Sequence, residues 1–322
     1  MSQNTDSRPV VLGPINARTP LPPAIQAWRV YLQDQGRSPN TIKAFVGDLN
    51  LLAHFLPPER TLGQITTQDL NRFLEWLQHG RGVPCSAKSL ARRITSLKAF
   101  FRWLHRYGVI LVDPAERVVQ RSVLSPLPQV LTPAEVRALQ AAAEEWRTQR
   151  HDARPAALFG LLLETGLKKS ETLNLHLNHI VLEGPEAPSI YVRYAAPRYR
   201  HKERRIPVSE AWRAVFEEYR SQYNPTERAF PWSPRRLEYL LEDLGKAANV
   251  DKRVSFALLR WTAALRDYRA GMDPEELRTK LGLSKVQWRE IHMKLRRLDA
   301  ITPREDPSAV EEAAPSSEEE TT

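Results

Sequence analysis

Apolar residues recur at helical spacing through most of this chain, and caps and breakers separate the runs. In SPNTIKAFVGDLNLLAHFL, Ser38 is placed to cap a helix with Pro39 in its first turn, and Ile42, Phe45, Leu49, Leu52 and Phe55 follow on one face. ITTQDLNRFLEWL repeats the pattern, with Thr67 expected as the cap and Leu70, Phe73, Leu74 and Leu77 as the stripe. SAKSLARRITSLKAFFRWLHRYG sets Leu90, Ile94, Leu97, Phe101 and Leu104 in a third stripe, with Gly108 as a natural stop. The next stretch, VDPAERVVQRSVLSPLPQVLTP, has prolines at 114, 126, 128 and 133 and little periodicity, which predicts an extended linker. Beyond it TPAEVRALQAAAEEW opens a helix capped by Thr132, and ARPAALFGLLLETG is nearly all apolar and therefore expected to be buried. SIYVRY, a polar turn and RRIPV form a short β element, and five further helical segments complete the chain.

The pattern predicts a mainly α, two-domain protein: a disordered lead-in over residues 1–20, a helical domain over 21–108, a linker over 109–130, an α-rich domain with a small β-hairpin over 131–300, and a disordered acidic tail over 301–322. No apolar run is long enough for a membrane span or a signal peptide. The single cysteine, Cys85, excludes an internal disulfide framework and any multi-cysteine metal site. It suits a reducing compartment and reads as a filler beside a turn, so neither a metal nor a cofactor is expected.

Charge sharpens the picture. The chain carries a formal net charge of +9. Its last 19 residues hold seven acidic side chains against one arginine, a net of −6, so residues 1–303 carry +15. A basic body with an acidic tail points to a polyanionic partner. The third helix carries Lys88, Arg92, Arg93, Lys98, Arg102 and Arg106 with no acidic residue of its own, which marks a phosphate-facing surface. From Arg193 to Arg205 six Arg or Lys residues and His201 crowd the hairpin, as expected of a reader of a nucleic-acid backbone or groove. Trp232, Trp261 and Trp288 read as core or interface rather than base-stacking residues.

In order along the chain, GRSPNTIKAFVGDL, ITTQDLNRFLEWL, SLARRITSLKAFFRWL, VDPAERV, LPQVLTPAEV, ETGLKKSETLNL, HKERRIPV, LLRWTAALRDYRAG and KLGLSKVQWREIH resemble the tyrosine recombinases (phage integrases), and among them the Xer type. The resemblance spans roughly residues 21–298. It implies a helical, SAM-like core-binding domain followed by an α-rich catalytic-type domain with a small sheet, the two holding duplex DNA between them. It also implies a chemistry in which a tyrosine forms a 3′-phosphotyrosyl link, two arginines neutralise the transition state and a lysine protonates the leaving oxygen.

Carried over by position, that machinery is depleted. The first arginine is replaced by Lys168, which keeps the charge but not the fork. Tyr199 stands where the hairpin lysine is expected, with Lys202 close by. The His-x-x-Arg motif reads Ala257-Leu258-Leu259-Arg260, the following His/Trp position is Leu283, and the nucleophile position is His292, with no tyrosine after Tyr268. Arg260 alone matches the family, either to hold a phosphate or to pair with a carboxylate such as Glu171.

The expectation is therefore a catalytically inactive, DNA-binding member of the fold, acting as an architectural or accessory factor. Lys88, Arg92, Arg93, Lys98, Arg102, Lys168, Arg198, Arg200, Lys202, Arg204, Arg235, Arg236 and Arg260 are the expected contacts to double-stranded DNA. The C-terminal helix, KVQWREIHMKLRRL, is the expected link to further copies or to an active recombinase. Such a protein would work in the cytoplasm, on the nucleoid. An atypical active recombinase using His292 or Tyr199, and a protein–protein adaptor whose basic faces take acidic partners, are the competing expectations.

Overall fold

The computed structural model describes residues 15–83, 85–119, 126–184 and 187–304. Most of the expected disordered lead-in, the acidic tail from residue 305 and the linker stretch 120–125 lie outside the described residues. The chain divides into two compact units, Met1–Pro126 and Leu127–Thr322.

The first unit is built from α1 (Leu21–Asp34), α2 (Pro39–Phe55), α3 (Thr67–Glu75) and α4 (Ala87–Arg106). Trp28, Leu49, Leu52, Phe73, Leu97, Phe100 and Phe101 are fully buried at its centre, so the apolar stripes face one another. Ser38 caps α2 through the Thr41 N–H, as its position predicts. The cap of α3 is Thr66, one residue before the expected Thr67. The reason is a reciprocal box: Thr66 Oγ1 accepts from the Asp69 N–H, and the Asp69 carboxylate accepts from the Thr66 N–H. Gly108, at φ +70°, ends the last helix. The linker prediction fails over its first part. Val109, Ile110, Ala115 and Val118 are buried in the core of this unit, because a Pro-containing turn can still dock single apolar side chains without any periodicity.

The second unit contains α5 (Pro133–Gln149), α6 (Arg154–Thr165), the short α7 (Lys169–Leu173), then β1 (Ile180–Val181), β2 (Ser189–Val192) and β3 (Arg204–Pro207). These are followed by α8 (Glu210–Tyr223), α9 (Pro234–Ala247), α10 (Phe256–Arg269), α11 (Pro274–Lys280) and α12 (Lys285–Ile301). The strands form one antiparallel sheet in the order β1-β2-β3, with Ile190 opposite Ile206 and Val192 opposite Arg204. The two-residue β1 was not expected. The apolar α6 is the buried centre of the main core, as its composition predicts. A second, smaller core of Leu277, Leu281, Leu283, Trp288, Leu295 and Leu298 seats α11 and α12 against α10. The C-terminal helix is thus packed within its own unit, and the Arg269 guanidinium fastens its end by donating to Asp299 Oδ1 at 2.8 Å and to the Thr302 carbonyl at 2.7 Å. No described helix is long and apolar enough to cross a membrane.

Candidate functional site

Several segments of the second unit converge on one buried carboxylate. The chain leaves α6 through Gly166, whose left-handed φ of +60° turns it so that Lys168 precedes α7. Glu171, three residues on, folds back. Its Oε2 accepts the Lys168 backbone N–H at 2.9 Å, and its Oε1 accepts from the Lys168 ammonium at 3.3 Å. β3 supplies Arg204, whose fork grips both Glu171 oxygens at 3.2 and 3.0 Å while its Nε donates to the Lys280 carbonyl at 2.6 Å. Tyr194, just beyond β2, donates its hydroxyl to the same carboxylate.

α10 adds Arg260. Its guanidinium donates to the Gly166 carbonyl and, at 2.6 Å, to the Leu281 carbonyl. The Lys168 ammonium makes its other bond to the Gly282 carbonyl at 3.0 Å. Three cations therefore surround one carboxylate, a local excess of positive charge held in place by backbone oxygens.

The titration of these groups follows from that geometry. Burial by itself would raise Glu171, but the Arg204 fork and the Lys168 ammonium outweigh it and hold the carboxyl at about 2. Burial and the Glu171 charge push the Tyr194 phenol up to about 12. Burial lowers Lys168; Glu171 opposes this, and Arg260 and Arg204 add to it. Burial also brings Arg260 down to about 10, with Glu171 opposing and Arg204 adding to the shift. Glu171 and Tyr194 titrate far from neutrality, so neither suits proton transfer there. The cluster can attract an anion, with the partly exposed Lys168 nearest to solvent.

Gly282 is integral to this cluster. It adopts φ +58°, and a Cβ there would stand 2.7 Å from Arg204 Nη1. Gly282→Ala is expected to cost about 1–2 kcal/mol for the left-handed backbone and a further ~1–3 kcal/mol for displacing a packed guanidinium. A chemical-denaturation midpoint for the second unit would measure it.

The structure corrects several expected contacts. Arg204 is only 6% exposed and committed to Glu171, so it offers nothing to a duplex. The pleat could have revealed this: Ile206 faces inward, and a period of two puts Arg204 on the same face and Arg205 on the other. Arg260 makes its hydrogen bonds to the Gly166 and Leu281 carbonyls and lies near enough to Glu171 to feel its charge, while the fork on Glu171 is Arg204's. In the first unit the basic helix α4 is not free of acid. Asp48, 2% exposed on α2, accepts from Arg92 and from Ser96 at 2.7 Å and lies 3.5 Å from Arg93 Nε. Arg93 also touches the half-buried Cys85. Lys88 and Arg102 are exposed and Lys98 is half-buried; helical spacing puts Lys88, Arg92, Arg102 and Arg106 along one stripe.

Between β2 and β3, Arg198, Tyr199 and Arg200 are exposed on a short 3-10 turn. The Arg198 guanidinium and the Lys202 ammonium lie 5.0 and 5.4 Å from the Tyr199 ring centre, and Tyr199 leans on Tyr194. Arg235 and Arg236 are exposed at the start of α9, with Arg235 donating to the Tyr239 hydroxyl at 2.7 Å. Ala257 is exposed on α10, and Leu283 is 7% exposed within the smaller core. His292 is stacked flat on Trp288, ring centres 5.1 Å apart, and meets the edge of Tyr268. Trp261 packs against that core and Trp232 against the main one. Sequence reading did not single out Tyr194, and it took Gly282 only as part of the motif KLGLSKVQWREIH. What each does in the cluster depends on a partner distant in the chain.

Residues 25–108 match the sequence model of the phage integrase N-terminal SAM-like domain, and residues 129–293 match that of the phage integrase family, the latter alone covering just over half of the chain. Tyrosine recombinase XerD of Caulobacter vibrioides is 29% identical over 269 residues, which cover 79% of this chain and 85% of that protein. Tyrosine recombinase XerC of Roseiflexus castenholzii is 26% identical over 306 residues, covering 88% and 92%. Among solved structures, a lambda integrase dimer bound to a COC′ core site superposes with a TM-score of 0.67 at 17% identity, over 89% of this chain and 80% of that one. XerH recombinase bound to its palindromic difH substrate superposes at 0.62, with 17% identity, over 86% and 83%. With both halves matched in order and the same fold recovered, this chain belongs to the phage integrase family of tyrosine recombinases.

Proposed function

We propose that this protein binds duplex DNA as an architectural or accessory member of its family and does not cleave it. The observation that carries the reading is the state of the cationic cluster together with the nucleophile position. Lys168, Arg204 and Arg260 direct their donors to Glu171 and to the carbonyls of residues 166, 280, 281 and 282. The residue at the nucleophile position, His292, is an imidazole packed against Trp288 rather than a phenol. Loss of one electrostatic donor from a preorganised site typically costs about 100–1,000-fold in rate, and here the nucleophile itself is absent as well.

Affinity comes from the α4 stripe, the loop between β2 and β3, and the start of α9. All are contacts to the sugar–phosphate backbone, with sequence preference left to the few side chains that reach base edges. DNA binding would place the protein on the nucleoid. Joining another copy or an active recombinase through α12 requires releasing Trp288, Leu295 and Leu298 from its own unit.

Incubation with nicked suicide duplexes, followed by denaturing electrophoresis, tests the reading. The expected result is a retained duplex under native conditions and no protein-linked strand after denaturation. A linked strand that His292→Phe abolishes would overturn it. Absence of any duplex binding at low salt would favour the adaptor instead.

A further inference from the structure

Two histidines of the second unit meet where the chain passes from α7 to the sheet. In NLHLNHIV, His176 and His179 stand three residues apart around the 3-10 turn Leu177–His179, which leads directly into β1. Side chains at that spacing eclipse one another on a 3-10 turn, and here the His179 N–H donates to the His176 carbonyl at 3.0 Å. The ring centres lie 5.2 Å apart, with the planes tilted by 57°. Both side chains are half-buried, so solvent reaches them. Among the described residues no other two histidines meet ring to ring.

A third group comes from the stretch before α9. The Glu227 carboxylate lies 3.7 Å from His176 Nδ1. Backbone bonds fix this neighbourhood: the Leu177 N–H donates to the Glu227 carbonyl at 2.9 Å, and the Ala229 N–H donates to the Leu175 carbonyl at 2.8 Å. The backbones that carry the two imidazoles and the carboxylate are thus held together before anything binds. Of the charged side chains whose fields reach His179, Arg193 opposes a further cation and Glu203 favours one. The single cysteine excludes a multi-cysteine metal site, but imidazole donors do not depend on it.

We propose that His176 and His179 chelate one divalent transition ion of the class that imidazole nitrogens prefer, Cu²⁺, Ni²⁺ or Zn²⁺. A tetrahedral ion bound at about 2.0 Å by one nitrogen of each ring sets the ring centres about 5 Å apart. The spacing of 5.2 Å already meets that requirement. Glu227 lies on the Nδ1 side of His176, which leaves Nε2 for the ion and lets the carboxylate orient the ring as an outer partner. Among the described residues no three His, Cys, Asp or Glu side chains converge on one point, so water completes the shell and the ion is exchangeable. An ion held there ties the segment that follows Lys168 and Glu171 to the first strand of the sheet. Chelation at this place is independent of whether the protein binds DNA.

Calorimetric titration of the full, metal-free chain with Cu²⁺, Zn²⁺ or Mg²⁺ alone at neutral pH tests this. The expected result is one Cu²⁺ or one Zn²⁺ per chain, with Cu²⁺ held more tightly and Mg²⁺ not taken up. His176→Asn/His179→Asn is expected to abolish the uptake, and His201→Asn, on the exposed loop between β2 and β3, to leave it unchanged. Glu227→Gln should weaken it about tenfold, the low end for an outer-shell carboxylate. Zn²⁺ should raise the thermal unfolding midpoint of the parent and not that of the double variant. If the double variant does not fold, the imidazole NMR signals of the parent decide, since a substoichiometric amount of Cu²⁺ should broaden those of His176 and His179 before any others. Uptake that survives the double variant, or broadening spread equally over histidines such as His201, would show an adventitious ion only and overturn the site. A parent that takes up neither Cu²⁺ nor Zn²⁺ would overturn it as well.

Discussion

Arg204→Met is expected to destabilise the second unit by about 3–5 kcal/mol, the range for removing one partner of a buried pair. Glu171 is 6% exposed, and the fork from Arg204 makes two of its contacts. Methionine keeps most of the side-chain volume but leaves the carboxylate with one half-buried ammonium, one phenol and the Lys168 backbone N–H. Glu171→Leu/Arg204→Met should recover much of the loss, because it removes the charge together with its partner.

The pH dependence gives a second readout of the same pair. Glu171 is depressed from 4.5 to about 2 in the folded protein. A depressed carboxyl contributes stability above its unfolded value and loses it as pH falls through the folded one, so the contribution is complete above about pH 4.5 and fades toward pH 2. At 1.36 kcal/mol per unit the contribution is about 3 kcal/mol. Urea unfolding followed across that window should show this loss in the parent and only a small remnant in Arg204→Met. A variant as stable as the parent, with the same acid profile, would show that the pair does not hold the site together.

The second large effect is on DNA. Arg200→Glu/Lys202→Glu reverses two charges on the loop between β2 and β3, beside the exposed ring of Tyr199. Hydrogen bonds to charged groups are worth about 1.5–3 kcal/mol each. Losing two, with repulsion added, is expected to weaken duplex binding by about a hundredfold at low salt and to make the salt slope shallower by about 2. The fold should be unaffected, because Arg200 is exposed and the Lys202 carbonyl accepts from Arg204 at 3.1 Å whatever the side chain. Equal affinity in parent and variant, measured by fluorescence anisotropy over a salt series, would remove the loop from the interface.

Much of the architecture was legible before any coordinates. Ser38, Thr132 and Gly108 mark helix ends through local chemistry, and each acts as expected. The stripes through Leu49 and Leu97 point inward because helical periodicity reports burial directly. Failures at this level were small and also local. The cap of α3 moved by one residue to complete a box with Asp69, and Val109 to Val118 joined the core as single contacts without a repeat.

The site was legible in a different sense. The resemblance located Lys168, Arg260 and His292, and simple alternation would have turned Arg204 inward. What each cation holds was not legible. Arg92 meets Asp48 across 44 residues, Arg204 meets Glu171 across 33, and Arg260 reaches the Gly166 carbonyl across 94.

Taken alone, then, the sequence determined the helices, their caps, the faces they bury and a strongly basic surface, since all of these depend on neighbours within a turn or two and on composition. The tertiary structure alone decided which of those charges remain available to a ligand. Pairing and desolvation act through space, falling off over a few ångströms, and the chain places a cation beside its carboxylate only by folding.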